Sequence, residues 1–218
     1  MSKLAWDKTS ERQYETGVEQ VAFYPQAAGA YPTGFAWNGV TAFNLTPSGA
    51  EPTPLYANNK KYLTMMSAEE MGATVEAYTY EPEFRPCMGY AVSAEGVYIG
   101  QQSRTAFGLV AKTLIGNDTE MNKHGYNLHL LWGCLAAPSE QSFNTVNDSP
   151  EAVTFSWEIS TTPVEMTNYE PTAYMCINST EVAAEKLKAL EAVLYGSEDA
   201  EPHLPLPDEV VTMMGAAA

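Results

Sequence analysis

The chain has 218 residues, 45% apolar and 17% charged, a composition able to bury a sizeable core and opposite to the low-hydrophobicity, high-charge signature of disorder. Its 11 Lys and Arg stand against 27 Asp and Glu, and the resulting formal charge of −16 repels phosphate. Tight binding to nucleic acid or to an anionic membrane surface is thereby nearly excluded, and a single domain of 1–218 is expected.

The first thirty residues mix Lys, Asp, Glu and Arg with polar residues and contain no sustained apolar run. Neither a signal peptide nor a membrane span is read there, so a protein made and kept in a cytosol-like compartment is expected. Up to about residue 54 the chain is rich in Gly, Pro and Ala, which are turn and loop formers. Between two such stretches lies AWNGVTAFNL at 36–45, where Asn38-Gly39 suits a tight turn and 40–45 has the aromatic and branched content of a strand. Residues 46–62 read as one long loop carrying Lys60-Lys61, the only adjacent basic pair in the chain. A loop of that length in a compact domain is usually functional or disordered, and this one is assigned as an interaction loop.

A short helical turn is expected at Ser67, with Glu70 in capping-box position and Gly72 as its stop. Residues 74–80 alternate, with Val75, Ala77 and Thr79 on one face and Thr74, Glu76, Tyr78 and Tyr80 on the other, as in a half-buried strand. Further strands are predicted at 20–24, 97–102, 105–113, 126–132 and 172–177. The strongest alternation lies at 153–160, where Val153, Phe155, Trp157 and Ile159 form a core row against Thr154, Ser156, Glu158 and Ser160. One long helix is predicted at 181–195, because Ala183, Leu187, Leu190 and Leu194 share a helical face. Ser179 or Thr180 should cap it and Gly196 end it. The fold class is mainly β with one docking helix.

Chemistry-bearing patterns are sparse. His124, His129 and His203 have no nucleophile-elbow context, and neither GxxxxGK[ST] nor GxGxxG occurs. NDTEMN at 117–122 lacks the Gly and the terminal Glu of a calcium loop and reads as a polar hairpin turn. Glu76, Glu81 and Glu83 read as a solvated acidic face. Cys87, Cys134 and Cys176, odd in number and far apart, read as buried small hydrophobes. No catalytic, cofactor or metal site is expected.

An ordered series of segments carries a resemblance: YETGV at 14–18, GFAWNG at 34–39, LYANNKKY at 55–62, EAYTYEPEF at 76–84, GND at 116–118, GY at 125–126, NDSPE at 147–151, SWEISTTPV at 156–164 and LPLPDEV at 204–210. Together they resemble the major tail protein of long-tailed, non-contractile bacteriophages over nearly the whole chain. The resemblance implies a tail-tube subunit, a β-sandwich or barrel flanked by a C-terminal helix. Six copies would form a ring, with rings stacked into a hollow virion tube around a tape-measure protein and bounded by a tail terminator and baseplate or tip proteins. DNA would pass through without specific binding, and no membrane partner is implied. A ring would carry 6 × −16 = −96 charges. Within this reading Glu76 and Glu158 are the candidate lumen carboxylates, and Lys60, Lys61, Tyr62, Pro205 and Pro207 the candidate inter-subunit residues. An N-terminal arm of about 1–20 and a Pro-rich C-terminal arm of about 197–218 are expected to lie across neighbouring subunits rather than on their own core. Two rivals stand beside it. A carbohydrate-binding or adhesive β-sandwich should expose Trp or Tyr in a groove, and a β-rich hydrolase should present a pocket with a His.

Overall fold

The alternating segments of the chain fold into strands that pair antiparallel throughout. The computed structural model describes all residues except 1–3, 5, 10, 144, 146–151, 199 and 216–218. The segment at 147–151 and the end of the Ala-rich tail thus lie outside the described residues. In chain order the strands are β1 Gln13–Pro25, β2 Phe35–Ala36, β3 Val40–Leu45, β4 Ser48–Gly49, β5 Pro52–Ala57, β6 Lys60–Met66, β7 Glu69–Glu70 and β8 Gly72–Ala77. They continue with β9 Ala91–Ala94, β10 Val97–Ile99, β11 Phe107–Asn117, β12 Met121–Ala136, β13 Phe155–Thr161 and β14 Tyr174–Asn178, before helices α1 Ala184–Tyr195 and α2 Pro207–Met213.

Eight strands make one sheet in the order β2-β1-β11-β12-β13-β8-β3, with β14 also on β12. The long β12 bends at Gly133, whose φ of +60° suits glycine, and a Cβ there would collide with the Thr162 carbonyl. Up to Leu131 its outer edge pairs with β14, and from Cys134 onward with β13. The bend folds the sheet on itself into the expected β-sandwich, and β3 returns beside β1 without pairing with it. Trp37 N–H donates to the Val21 carbonyl (2.8 Å) where the two ends meet.

Two cores result. The inner one is aromatic: Phe23, Trp37, Phe84, Phe107 and Trp157 are all buried, and the predicted row supplies Trp157 and Ile159 at its centre. Trp157 meets Trp37 edge-on with centroids 5.0 Å apart, and a 3-10 turn at Pro82–Phe84 drives Phe84 between them and Phe107. The outer core lies on the other face of β1, β11 and β12, where Tyr24, Val110, Leu128, Leu130 and Trp132 meet Leu187, Leu190 and Leu194 of α1. Because β11 is covered on both sides, its FGLVA run has no alternation. β8 and β13 instead bury one face only, which leaves Thr74, Glu76 and Ser156 half-buried and Glu158 exposed on the other face, beside β3, whose residues are half-buried or exposed.

Several expectations need correction. The 46–62 loop is mostly strand, since β5 and β6 form a two-stranded ribbon and β4 pairs with β7 beneath it. Glu69 and Glu70 belong to that small pairing, so no helical turn starts at Ser67. The N-terminal arm ends before Gln13, because β1 runs along β11 from there. Helix α1 starts at Ala184 with Ala183 as its cap residue, while Ser179 and Thr180 are held in the preceding turn, where Asn178 Oδ1 accepts from Thr180 N–H and O–H. Cys87 and Cys134 are buried as expected, but Cys176 is exposed.

The C-terminal arm departs furthest from expectation. Leu204 is 2% exposed in the outer core, the Trp132 indole donates to the Pro205 carbonyl (2.9 Å), and Pro207 is buried as the first residue of α2, which inserts Val210. Pro205 and Pro207 therefore hold the chain to its own core. The physical reason is that LPLP places the anchor Leu204 directly before Pro205, where the limited freedom of Pro205 and Pro207 makes the stretch cheap to order, and Pro at a first helical position starts a helix.

Candidate functional site

A hairpin needs a turn that matches strand twist, and Asn58-Asn59 supplies it: both have positive φ, 50° and 60°, as a type I′ turn requires. The turn closes β5 on β6, with Leu55 opposite Leu63 and Ala57 opposite Lys60. All residues of both strands are exposed. Tyr56, Tyr62 and Met66 are about 70% or more exposed (70, 74 and 69%), far beyond what a folded monomer needs from side chains of that size. Lys60 and Lys61 lie at the tip and belong to none of the ion pairs formed among the described residues. The structure thus brings Lys60, Lys61 and Tyr62 together on one protruding ribbon, whereas Pro205 and Pro207 are elsewhere and buried.

A second ribbon was legible only as one strand at 97–102. β9 and β10 pair through a Glu95-Gly96 turn and are exposed along their whole length, including Val92, Val97, Tyr98 and Ile99. The Arg85 guanidinium lies 3.9 Å from the centre of the Tyr98 ring, a cation–π contact that ties the ribbon to the body. Beside its root is a cleft of about 620 Å³ lined by Met88, Tyr90, Gln102, Arg104, Ser139 and Trp157. Trp157 is only 2% exposed there and donates its indole N–H to Met88 Sδ (3.2 Å), and Arg104 donates to the Ala136 carbonyl (2.7 Å). Trp157 is thus spent on the core, and Tyr90, half-buried, is the other aromatic lining the cleft.

Glu76 and Glu158 come together as well. Glu76 is opposite Ser156 and Glu158 opposite Thr74, so the two acidic residues are diagonal neighbours across β8 and β13, their backbones about 7 to 8 Å apart by strand geometry. Around them the same face carries short hydroxyl groups. Asn44 adds an amide from β3, opposite Thr74.

The histidines take structural positions. His129 is 6% exposed between β11 and β14, with Nε2 2.8 Å from Thr113 Oγ1 and Nδ1 2.9 Å from the Tyr174 hydroxyl. Burial lowers its pKa, opposed by the charge of Glu15. His124 sits by the expected polar hairpin turn, 2.7 Å from Glu120, where Asn117 Oδ1 accepts from the N–H groups of Thr119 and Glu120. Among the described residues no group of three or more His, Cys, Asp and Glu could hold a metal ion, and no helix is long and apolar enough to cross a membrane.

No protein-family model matches the chain, and no curated protein matches it.

Proposed function

We propose that the chain is a self-assembling structural subunit of phage-tail-tube type, forming stacked hexameric rings of a virion conduit for DNA. The observation that carries this reading is the β5–β6 ribbon, an apolar, doubly cationic projection from a chain of net charge −16. Between residues 52 and 66 there are two Lys and no acid, so the ribbon carries +2 and the remainder −16 − 2 = −18. Such a projection gains by burying its aromatic and Met side chains against another copy, whose acidic surface complements the tip.

The Glu76 and Glu158 face of β3, β8 and β13 supports the same reading. A hydrated wall of Thr, Ser and Asn with Glu76 and Glu158 suits a bore from which a phosphate backbone is repelled. The most exposed tyrosines, Tyr56 and Tyr62, lie on the β5–β6 ribbon and not in the cleft, which does not favour the carbohydrate-binding alternative.

The test is to replace residues 52–66 by a two-residue turn and follow assembly by sedimentation velocity. The variant should stay folded, with one cooperative thermal transition near the parent's melting temperature, and lose the large assemblies. Assemblies of unchanged size and onset concentration would contradict the reading.

A further inference from the structure

Two exposed ribbons on one subunit raise the question of which surface each meets. Every residue of β5 and β6, and every residue of β9 and β10, is exposed, so neither ribbon is covered by its own chain. A two-fold contact of the β5–β6 tip with itself would bring Lys60 and Lys61 of one copy against the same pair of the other, with no acid in 52–66 to separate them. Like charges placed opposite one another are penalised, and a two-fold contact closes a dimer and stops growth.

The β9–β10 ribbon is the complementary element. Its span of 91–99 holds one charged residue, Glu95, at the tip. Val92, Val97 and Ile99 offer branched apolar surface to match Tyr56 and Tyr62 near the other tip. Both ribbons are preorganised, one by its Asn58-Asn59 turn and the other by Arg85 on Tyr98, so docking costs little ordering. The nearby cations also set the alignment. Arg85 lies on Tyr98 within β10, not at the Glu95 turn, and Arg104 lines the cleft beside the ribbon's root, so Lys60 and Lys61 are favoured at Glu95 and disfavoured at the root.

Resting on the self-assembly reading above, we infer that the β5–β6 ribbon of one copy packs tip to tip on the β9–β10 ribbon of a second copy. The contact is heterologous, and each subunit presents both halves. Growth by addition of further copies follows from that arrangement.

Cysteine pairing tests it. In a Cys176→Ser background, Tyr62→Cys and Val97→Cys chains are prepared separately, mixed under assembly conditions and treated with a mild oxidant. The mixture should give a disulfide joining one Tyr62→Cys chain to one Val97→Cys chain, at least several-fold above any dimer of either chain alone. A Tyr62→Cys dimer of equal or higher yield would overturn the inference in favour of a two-fold contact. Normal assemblies without any disulfide would overturn it too, leaving the self-assembly reading in place. If the unsubstituted chain stays monomeric at every concentration, both fall.

Discussion

Trp157 and His129 mark the two extremes of what single residues contribute. Trp157 is 2% exposed and contacts Trp37, Phe84, Tyr80 and Phe155, so its truncation leaves a large cavity at the meeting point of both halves of the sandwich. Trp157→Ala should cost about 3 to 5 kcal/mol, read as a fall in the urea midpoint; an unchanged midpoint would remove it from the core. His129 is held neutral by burial, so its folded pKa lies below the unfolded value of about 6.5. Between those two values the unfolded chain binds the extra proton, and stability falls as pH drops through that window. Urea midpoints at pH 7.5 and 5.5 should therefore converge more in His129→Gln than in the parent. An equal drop in both would show that His129 does not contribute. The row of Trp157 was legible because alternation reports one-sided burial. The contacts of His129 were not, because Tyr174 comes from a strand 45 residues on and the β11–β12 register that sets Thr113 beside the ring cannot be read from period alone.

At the scale of elements, legibility followed the number of covered faces. The helix stripe of Leu187, Leu190 and Leu194 and the one-sided strand β13 were readable from period alone. The β5–β6 ribbon was not, because Pro52 and Pro54 argue against a strand and Asn58-Asn59 is a weaker turn signal than Asn-Gly. An edge strand tolerates proline where the missing N–H faces solvent, and a two-stranded ribbon consists only of edges. The C-terminal stretch misled for a different reason: its anchors, Leu204 and Val210, are isolated apolar residues with no periodicity of their own. Leu204→Ala should cost about 2 to 5 kcal/mol in urea unfolding. In the intact free chain, residues 204–210 should resist protease while sites before Gln13 are cut. Rapid cleavage at 204–210 would mean that this stretch does not dock on its own core.

For the whole molecule, long-range repulsion and local attraction pull association in opposite directions. A subunit of −16 approaching another of −16 feels repulsion that reaches about 30 Å at 0.01 M salt and about 8 Å at 0.15 M. The ion pairs available to one ribbon tip are exposed, and such pairs contribute only about 0.2 to 1 kcal/mol each. The net charge dominates, so the concentration at which assemblies appear should fall as salt rises from 0.01 to 0.15 M. Light scattering across that range reads the effect, and onset that moves to higher protein concentration with salt would reverse the balance.

Negative-stain electron microscopy of the concentrated chain tests the central proposal most directly. The assemblies should be hollow tubes of stacked six-fold rings, their number growing with protein concentration and with salt up to 0.15 M. A field of single subunits at every concentration, or closed dimers that never extend, would contradict it.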